Sequence, residues 1–351
     1  MLSQTTLVGL AVATLASMAI VVQYAHDTLT ISLAFATCAG LATWYLLPKL
    51  IPVFILANIT GKDVLKRDRP VRAETMGLPT AIIYLVDLFL FVPFPFMSYF
   101  NGDATLVHDE NPTIGTFPYH KLSEILSALL AIQSMALLGF ADDVFDVRWR
   151  YKVWFPAIAA IPLLIVYYTN FGVTWVMVPL QLRPYFGELV NLGWMYYVFM
   201  LLVTIFCTHS INILAGINGL EVGQSLVIAL SVAINDFLFI HDKQSAAPTI
   251  ETHLFSLYLM LPFIGVTAGL LWHNWYPSRL ALYQDADVVL LAPNLQFCLF
   301  RTANIPIYRM SSPSNASIQL KNKQVGTFYG IPHEEATIKT GQAYSESLLI
   351  A

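Results

Sequence analysis

Long apolar segments separated by short polar ones make up most of this chain. Eight segments are bounded by polar, Gly or Pro residues, at 7–25, 31–56, 78–100, 122–144, 153–169, 193–211, 220–240 and 254–272. Most have the length of about 20 residues that an α-helix needs to cross a hydrocarbon layer roughly 30 Å thick. Lipid offers no partners to backbone polar groups, so such segments cross it as helices. The pattern predicts an all-α integral membrane protein, a polytopic bundle of about eight transmembrane helices.

The two ends of the chain differ from each other. No basic residue precedes the segment 7–25, and it runs almost directly into the next apolar stretch, so we interpret it as a retained span rather than a cleaved signal peptide. The last part, 301–351, is rich in Ser, Asn, Thr, Lys and Gln and has no hydrophobic period. We therefore predict a transmembrane domain over 1–300 and a polar, disordered tail over 301–351.

Composition supports the membrane interpretation. The 351 residues are 57% hydrophobic and 11% charged, against roughly 25% charged residues in soluble domains. The cysteines Cys38, Cys207 and Cys298 lie far apart and form no CxxC pair. Neither a disulfide framework nor a zinc site is indicated, and we interpret the three as apolar helix residues.

Positive charge is concentrated in two of the connecting loops. The loop after the second span, GKDVLKRDRPVRAE, carries five Lys or Arg residues, and the loop after the fourth carries Arg148, Arg150 and Lys152, whereas the loops 101–121, 170–192 and 241–253 carry one each. Counting spans places both basic loops on one side of the membrane, with the turn 212–219 and the segment HNWYPSR. The positive-inside rule makes this side cytosolic. One-sided motifs argue against a transporter, whose polar residues lie near the midplane of the bilayer.

Two adjacent acids, Asp142 and Asp143, close an apolar segment in LLGFADDVFDVRWRYK. Adjacent carboxylates at a membrane surface repel each other and lose solvation, so a helix end has little structural reason to carry both. A divalent metal ion, a proton brought by a substrate or the basic residues that follow could each balance their charge. The alternative is that both acids are solvated loop residues.

A second polar group lies in CTHSINILAGINGLEVG, a Gly-punctuated stretch between two apolar segments. Asn212 and Asn218 offer carbonyl oxygens to a hard cation and amide donors to a phosphate or a uracil edge, and the Gly residues allow a ligand close to the backbone. Alternatively, both Asn residues cap helices. His209 is either a base or ligand or a structural, hydrogen-bonded histidine.

The first basic loop is the third candidate, with Lys62, Asp63 and Glu74. Basic residues beside a membrane commonly determine topology or contact anionic lipid. Glu74 differs, because a single acid that enters a transmembrane segment, in AETMGLP, indicates a specific donor partner such as an N–H of a ligand.

Five stretches carry a resemblance to a known family: GKDVLKRDRPVRAETMGLP, LLGFADDVFDVRWRYK, NFGVTWVMVP, INILAGINGLEVGQS and HNWYPSR. In this order and spacing, over about residues 31–279, they closely resemble the polyprenyl-phosphate hexose-1-phosphate transferases of glycosyltransferase family 4, in their eukaryotic, fungal-like form. The resemblance implies transfer of GlcNAc-1-phosphate from UDP-GlcNAc to dolichyl phosphate, the first step of the lipid-linked oligosaccharide pathway for protein N-glycosylation. It also implies an endoplasmic reticulum membrane location, Mg2+ as cofactor, tunicamycin sensitivity, a homodimer and association with the next GlcNAc transferase.

The resemblance further implies roles for particular residues. Asp142 and Asp143 match the acidic pair of the catalytic centre, Lys152 matches a lysine that contacts dolichyl phosphate, and Asn212 matches a magnesium ligand. The stretch that lines the approach of that phosphate comprises Ile205, Phe206, Cys207, Thr208, His209, Ser210, Ile211, Asn212 and Ile213. The positions that hold the nucleotide part of UDP-GlcNAc are Lys62, Asp63, Val64, Glu74 and Asn218.

The likeness ends after HNWYPSR. The family continues with a VGDT-type motif, whose aspartate is a second magnesium ligand, and later with an Arg-His-Arg motif that recognises the GlcNAc group; this sequence has neither. Asp285 and Asp287 stand in a different context and receive no ligand role. The abrupt change leads us to expect a frameshifted, mis-spliced or truncated gene model. Two other functions therefore stay open: a non-catalytic relative acting as a subunit or regulator, and a sister sugar-1-phosphate transferase.

Overall fold

Seven long helices dominate the part of the chain that the structure describes. The computed structural model describes residues 27–62, 71–73, 75–100, 117–145, 147–170, 172–178, 181–187, 189–213, 218–242 and 247–275, with the single positions 12, 14, 17, 19 and 23. The long helices are α1 (Thr28–Leu56), α2 (Gly77–Phe91), α4 (Tyr119–Phe145), α6 (Phe155–Asn170), α8 (Met195–Ile213), α9 (Leu220–His241) and α10 (Ala247–Asn274). The short helices are α3 (Met97–Phe100), α5 (Trp149–Lys152) and α7 (Arg183–Phe186).

Seven of the eight predicted spans coincide with these long helices. Six stretches are long and apolar enough to cross a membrane, namely Thr28–Leu56, Gly77–Phe96, Tyr119–Asp142, Arg150–Asn170, Leu220–His241 and Ile250–Asn274, and α8 supplies a shorter apolar helix, Met195–Ser210. The protein is thus a polytopic, helical membrane protein, as predicted. The span 7–25 lies mostly outside the described residues, although its described positions are helical and Ser17 Oγ lies 3.0 Å from Thr37 Oγ1. The predicted tail 301–351 and Cys298 also lie outside the described residues.

Two connections contain short strands that the hydrophobic pattern did not predict. β1 (Thr60–Lys62) and β2 (Val71–Ala73) pair antiparallel within the first basic loop, with Lys62 opposite Val71. β3 (Trp175–Met177) and β4 (Leu189–Asn191) form a second two-stranded sheet between α6 and α8. Strands of three residues are too short to show a period of two, which explains why the pattern missed them.

The span predicted at 78–100 is interrupted. The helix α2 ends at Phe91, and a 3₁₀ turn over Phe94–Phe96 leads into α3. Pro93 and Pro95 cause the break, because neither can donate the backbone hydrogen bond that a continuing α-helix needs.

A close contact between helix backbones joins α1 to α10. A Cβ atom placed on Gly265 would lie 2.1 Å from the carbonyl oxygen of Ala36, and one on Gly269 would lie 2.7 Å from that of Gly40. Backbones can approach this closely only where side chains are absent, which is common between helices in membranes. Next to this crossing, the buried Tyr84 donates a hydrogen bond of 3.1 Å to the carbonyl of Leu259.

Aromatic side chains are exposed near both ends of the bundle. Tyr119 and Trp194 lie at one end, 73% and 72% exposed, and Trp154 and Trp275 lie at the other, 57% and 61% exposed. Tyr and Trp rings favour the two interfaces between lipid and water, so these residues mark the two membrane surfaces.

The chain divides into two compact units. The first contains the described residues up to Val176 and from Val190 onward, and it includes every long helix. The second includes Met177–Leu189, within which Arg183 Nε donates a hydrogen bond of 3.0 Å to the carbonyl of Val178.

Consecutive crossings bring several helix ends to one membrane surface. The ends of α1, α4, α8 and α10 and the starts of α2, α6 and α9 lie there, and we call this surface the site end. Among the described residues predicted to take part in chemistry, Lys62, Asp142, Lys152, His209 and Asn218 lie at this surface.

Candidate active site

An ion pair at the site end joins two of the three predicted catalytic residues. Asp142 lies in the last turn of α4 and Lys152 at the end of α5, and the ammonium of Lys152 contacts Asp142 Oδ2. The Lys152 side chain is 14% exposed and the Asp142 side chain 9%. Removal of either partner would leave the other charge poorly solvated, so breaking this salt bridge is expected to be costly.

The connection between α4 and α6 brings the pair together. The carbonyl of Arg148 accepts hydrogen bonds from the backbone N–H groups of Tyr151 and Lys152, at 2.9 and 3.3 Å, which forms the single turn of α5. This turn directs Lys152 back towards the end of α4. The third predicted catalytic residue, Asp143, is helical, but its side chain lies outside the described part of the structure.

The end of α8 is attached to the same connection. His209 Nε2 lies 3.3 Å from the carbonyl oxygen of Val153, the residue after Lys152. A neutral imidazole N–H at this position would donate to that carbonyl. The contact supports the structural interpretation of His209 that the sequence left open, and the carbonyl that it reaches belongs to the residue directly after Lys152.

The other described side chains of the Ile205–Ile213 stretch either bond to the backbone of α8 or lie at its surface. Thr208 is buried, and its hydroxyl donates to the carbonyl of Thr204 at 2.9 Å. Ser210 Oγ donates to the carbonyl of Cys207 at 3.0 Å. Phe206 is 72% exposed on the lipid-facing surface, whereas Ile205 is half-buried. Both hydroxyls donate to backbone carbonyls of their own helix, so in this structure neither is directed towards a ligand.

The structure locates Asn212 differently from the sequence interpretation. It belongs to the last turn of α8 rather than to the Gly-punctuated turn, although its side chain, with those of Ile211 and Ile213, lies outside the described part. Residues 214–217 are not described either. Seven residue steps separate Ile213 from Leu220, so the end of α8 and the start of α9 lie at most about 25 Å apart.

A tight turn at Gly219 opens α9. Its φ of +83° is a left-handed conformation that Gly adopts without strain, and a Cβ there would lie 3.3 Å from Trp275 Cε3. Asn218 is half-buried in this turn, and Glu221 is buried in the first turn of α9. The turn therefore packs against the end of α10.

The HNWYPSR segment contributes residues that the sequence did not nominate individually. His273 Nε2 lies 2.8 Å from the carbonyl oxygen of Trp44 in α1, and Asn274 is 1% exposed. Polar side chains buried at a helix end beside a Gly turn are typical of a ligand-binding site. The sequence could not show this arrangement, because it depends on the packing of α1, α9 and α10, which lie far apart along the chain.

The first basic loop packs against the same helix ends. Ala73 and Met76 are fully buried in a cluster with Leu47 of α1, Val222 of α9 and Leu270 of α10. The β1–β2 hairpin, and with it the backbone of Lys62, thus stands beside the Asn218 turn. The Lys62 side chain and the residues Asp63, Val64 and Glu74 lie outside the described part of the structure.

The described residues fall into two groups at one membrane surface. The first comprises Asp142, Lys152 and His209, and the second comprises the β1–β2 hairpin, the Asn218–Glu221 turn and the end of α10. The first group offers an ammonium and a carboxylate, which suits it to a phosphate and its proton. The second offers buried polar side chains and close backbone approach, which suits it to a larger polar ligand.

A metal-ligand set is not assembled among the described residues. They contain no group of three or more His, Cys, Asp or Glu side chains placed to hold an ion, and Asp142 is already paired with Lys152. Magnesium prefers several oxygen ligands in octahedral arrangement. The side chain of Asn212, the predicted ligand, lies outside the described part of the structure. Magnesium binding therefore stays a prediction.

Comparison with known proteins places these observations in a family context. Residues 125–282 match the family model described as glycosyl transferase family 4. Three similar proteins are named UDP-N-acetylglucosamine--dolichyl-phosphate N-acetylglucosaminephosphotransferase. The Schizosaccharomyces pombe protein is 44% identical over 75% of this chain and 60% of its own length. The Saccharomyces cerevisiae protein is 43% identical over 71% and 57%, and that of Dictyostelium discoideum is 40% identical over 70% and 60%. The chain thus spans about three fifths of the length of these curated relatives.

Proposed function

We propose that this chain belongs to glycosyl transferase family 4, whose model residues 125–282 match, and that it transfers GlcNAc-1-phosphate from UDP-GlcNAc to dolichyl phosphate, giving GlcNAc-PP-dolichol and UMP. The observation that carries the proposal is the ion pair between Asp142 and Lys152 at a membrane surface, inside the matched region. The names of the relatives from both yeasts describe this reaction.

The pair suits the acceptor half of the reaction. An oxygen of dolichyl phosphate attacks the phosphorus that carries GlcNAc; a new P–O bond forms as the P–O bond to UMP breaks, and UMP leaves with the electron pair. Lys152 provides a cation for the acceptor phosphate. Asp142 can accept the proton of a singly ionised acceptor phosphate, whose second pKa is about 6. Since the pair already orders the long lysine side chain, less conformational freedom is lost when the phosphate binds.

The location at a membrane surface suits the two substrates. The isoprenoid tail of the acceptor stays in lipid, whereas the nucleotide sugar arrives from water. Phe206 is exposed one turn before His209, so an apolar side chain lies beside the helix end that contacts the residue after Lys152. The second group of residues, at the Asn218 turn, lies at the same end and is our candidate for the UDP-GlcNAc side.

The proposal includes Mg2+ as the cofactor, with Asn212 as a ligand. A divalent ion neutralises the charge that develops on a pyrophosphate during phosphoryl transfer. We assign no step to the ion, because the described residues do not assemble its ligand set. The requirement itself is testable: EDTA is expected to abolish transfer and added Mg2+ to restore it.

Location and assembly are further parts of the proposal. The endoplasmic reticulum membrane is proposed from the reaction that the relatives' names describe, and a cytosolic site end from the two basic loops. A homodimer and an association with the next GlcNAc transferase rest on the family resemblance alone.

The deciding experiment measures transfer of labelled GlcNAc-phosphate from UDP-GlcNAc to dolichyl phosphate by the purified chain in detergent with Mg2+. We expect transfer by the unmodified chain and a loss of at least about 100-fold in Asp142→Asn. A matched control is Glu251→Gln, which removes the carboxylate of another ion pair, with Lys121, at the opposite end of the bundle. The proposal fails if a folded, unmodified chain makes no labelled lipid, or if both variants lose transfer equally.

A second function is favoured by one observation. After HNWYPSR this sequence reads LALYQDADVV where the family has its VGDT-type motif, which favours a non-catalytic relative that acts as a subunit or regulator of another transferase. Binding of UDP-GlcNAc or tunicamycin, measured calorimetrically, without any transfer would favour this function. A sister enzyme would instead show transfer with a different nucleotide sugar.

A further inference from the structure

The short helix α5 carries basic residues on two opposite faces. Lys152 is nearly buried and contacts Asp142, whereas Arg148 and Arg150 are exposed. Residues two positions apart on a helix lie about 200° apart around its axis, which explains why Arg150 and Lys152 have opposite orientations. Neither arginine forms an ion pair with a described residue. The charges of Arg148 and Arg150 are therefore not neutralised by Asp142 or by another described carboxylate.

The outward face of α5 is a set of hydrogen-bond donors. The guanidinium carbon of Arg150 lies 4.7 Å from the centre of the Tyr151 ring, and its Nη2 donates to Tyr151 Oη at 2.6 Å. Because the Tyr151 oxygen accepts this bond, its own O–H is left to donate elsewhere. Trp154 is 57% exposed and its indole N–H has no partner among the described residues. Together, these groups present N–H and O–H donors without a described acid, a combination that suits a phosphate.

The donor set lies directly above a lipid-facing surface. The backbone N–H of Ile158 donates to the carbonyl of Trp154, so the helical path continues from Trp154 into α6. Ile158, Ile161 and Ile165 follow at helical spacing and are 54%, 49% and 57% exposed. A stripe of this kind faces hydrocarbon in a membrane. Cationic and aromatic side chains at the top of such a stripe stand at the level of the lipid headgroups.

We propose that Arg150, Tyr151 and Trp154 form a binding site for the headgroup phosphate of an anionic phospholipid, with the acyl chains along the stripe formed by Ile158, Ile161 and Ile165. The site is separate from the proposed transfer chemistry, because its donors face away from Lys152. Its occupant is a lipid of the surrounding leaflet rather than a soluble anion, because the donors and the apolar stripe are continuous.

The experiment is a lipid titration of the purified full chain by native mass spectrometry, with phosphatidylinositol as the probe and phosphatidylcholine for comparison. We expect retention of phosphatidylinositol to fall about tenfold in Arg150→Gln. We expect a fall of about threefold in Tyr151→Phe, which keeps the charge and the ring but loses the hydroxyl. Retention of phosphatidylcholine should change little in either variant.

Another cation–aromatic pair provides matched controls. Lys49 Nζ lies 3.6 Å from the centre of the Tyr45 ring, near the end of α1 on the same membrane side. Tyr45→Phe should leave retention unchanged, and Lys49→Gln should reduce it less than Arg150→Gln does. Equal losses in the two charge-removing variants, with no effect of Tyr151→Phe, would show only diffuse attraction and overturn the proposal. It is also overturned if soluble glycerophosphoinositol binds as tightly as phosphatidylinositol.

Discussion

At the scale of single residues, neighbours in sequence have different environments. Lys152 is nearly buried against Asp142, whereas Arg150 lies on the exposed face of Tyr151. The difference arises from helix geometry and not from residue type, since both are basic residues in one short loop. Charge counted along the sequence therefore predicts the membrane side, whereas the orientation of each side chain separates the ion pair of the candidate site from the exposed Arg150.

The Asp142–Lys152 pair predicts non-additive effects on transfer. Asp142→Asn and Lys152→Gln should each reduce the transfer rate at least about 100-fold, and the double variant should be little worse than either single one, because each substitution already disrupts the same unit. Steady-state rates of labelled transfer for the four proteins provide the measurement. Losses that multiply in the double variant would contradict a shared role.

At the scale of elements, helix contacts are decided by small and polar residues. The crossing of α1 and α10 depends on Gly40, Gly265 and Gly269. Farther from the site end, α9 and α10 are joined by Asp236 and His253, whose Oδ1 and Nδ1 atoms lie 2.7 Å apart with both side chains at most 1% exposed. In lipid, where apolar surfaces gain little from association, such contacts set which helices become neighbours.

The glycine crossing predicts a stability difference between two similar substitutions. Gly265→Ala places a methyl group 2.1 Å from a backbone oxygen, so α1 and α10 must separate, at a cost of about 1–3 kcal/mol or more. Gly223→Ala meets nothing nearer than Leu271 Cδ1 at 4.0 Å and should be neutral or stabilise α9 by up to about 1 kcal/mol. Thermal unfolding in detergent measures both. Equal melting temperatures would refute the tight crossing.

The buried pair between α9 and α10 predicts compensation. Asp236→Leu removes the hydrogen-bond partner of His253 and should destabilise the protein by about 1–3 kcal/mol. Adding His253→Leu should recover most of this loss, since an apolar pair leaves no unpaired polar group. Unfolding midpoints of the single and double variants test this. A double variant less stable than Asp236→Leu would show that the pair has another role.

At the scale of the whole molecule, the helix order predicts the accessibility of each loop. In a chain with its three native cysteines replaced by alanine, Val71→Cys and Arg148→Cys lie at the site end, whereas Tyr119→Cys and His241→Cys lie at the opposite end. In sealed endoplasmic reticulum vesicles with the cytosolic side outward, an impermeant maleimide should label the first two alone. Labelling of Tyr119→Cys alongside Arg148→Cys would contradict the topology.

Most of the fold and part of the site could be predicted from the sequence. Seven spans appear as long helices at the predicted places, because a membrane span needs a long apolar run that hydropathy reveals; the largest differences are the end of α2 at Phe91 rather than 100 and the start of α10 at Ala247 rather than 254. Asp142 and Lys152 were nominated and do meet. The short hairpin of β1 and β2 and the assignment of Asn212 to α8 could not be predicted, since three-residue strands and exact helix ends leave no periodic signal.

The sequence by itself determined the helical membrane class, the approximate positions of the described spans and the family resemblance, and its loop charges predict a cytosolic side for the polar motifs. These properties depend on local apolar length, on loop charge and on the order of motifs. The tertiary structure alone decided that Lys152 contacts Asp142, that Arg150 is exposed over the Tyr151 ring, and that the Gly219 turn packs against Trp275. Such contacts join residues that are distant in sequence or rotated about one helix, and the close approach of helix backbones fixes them.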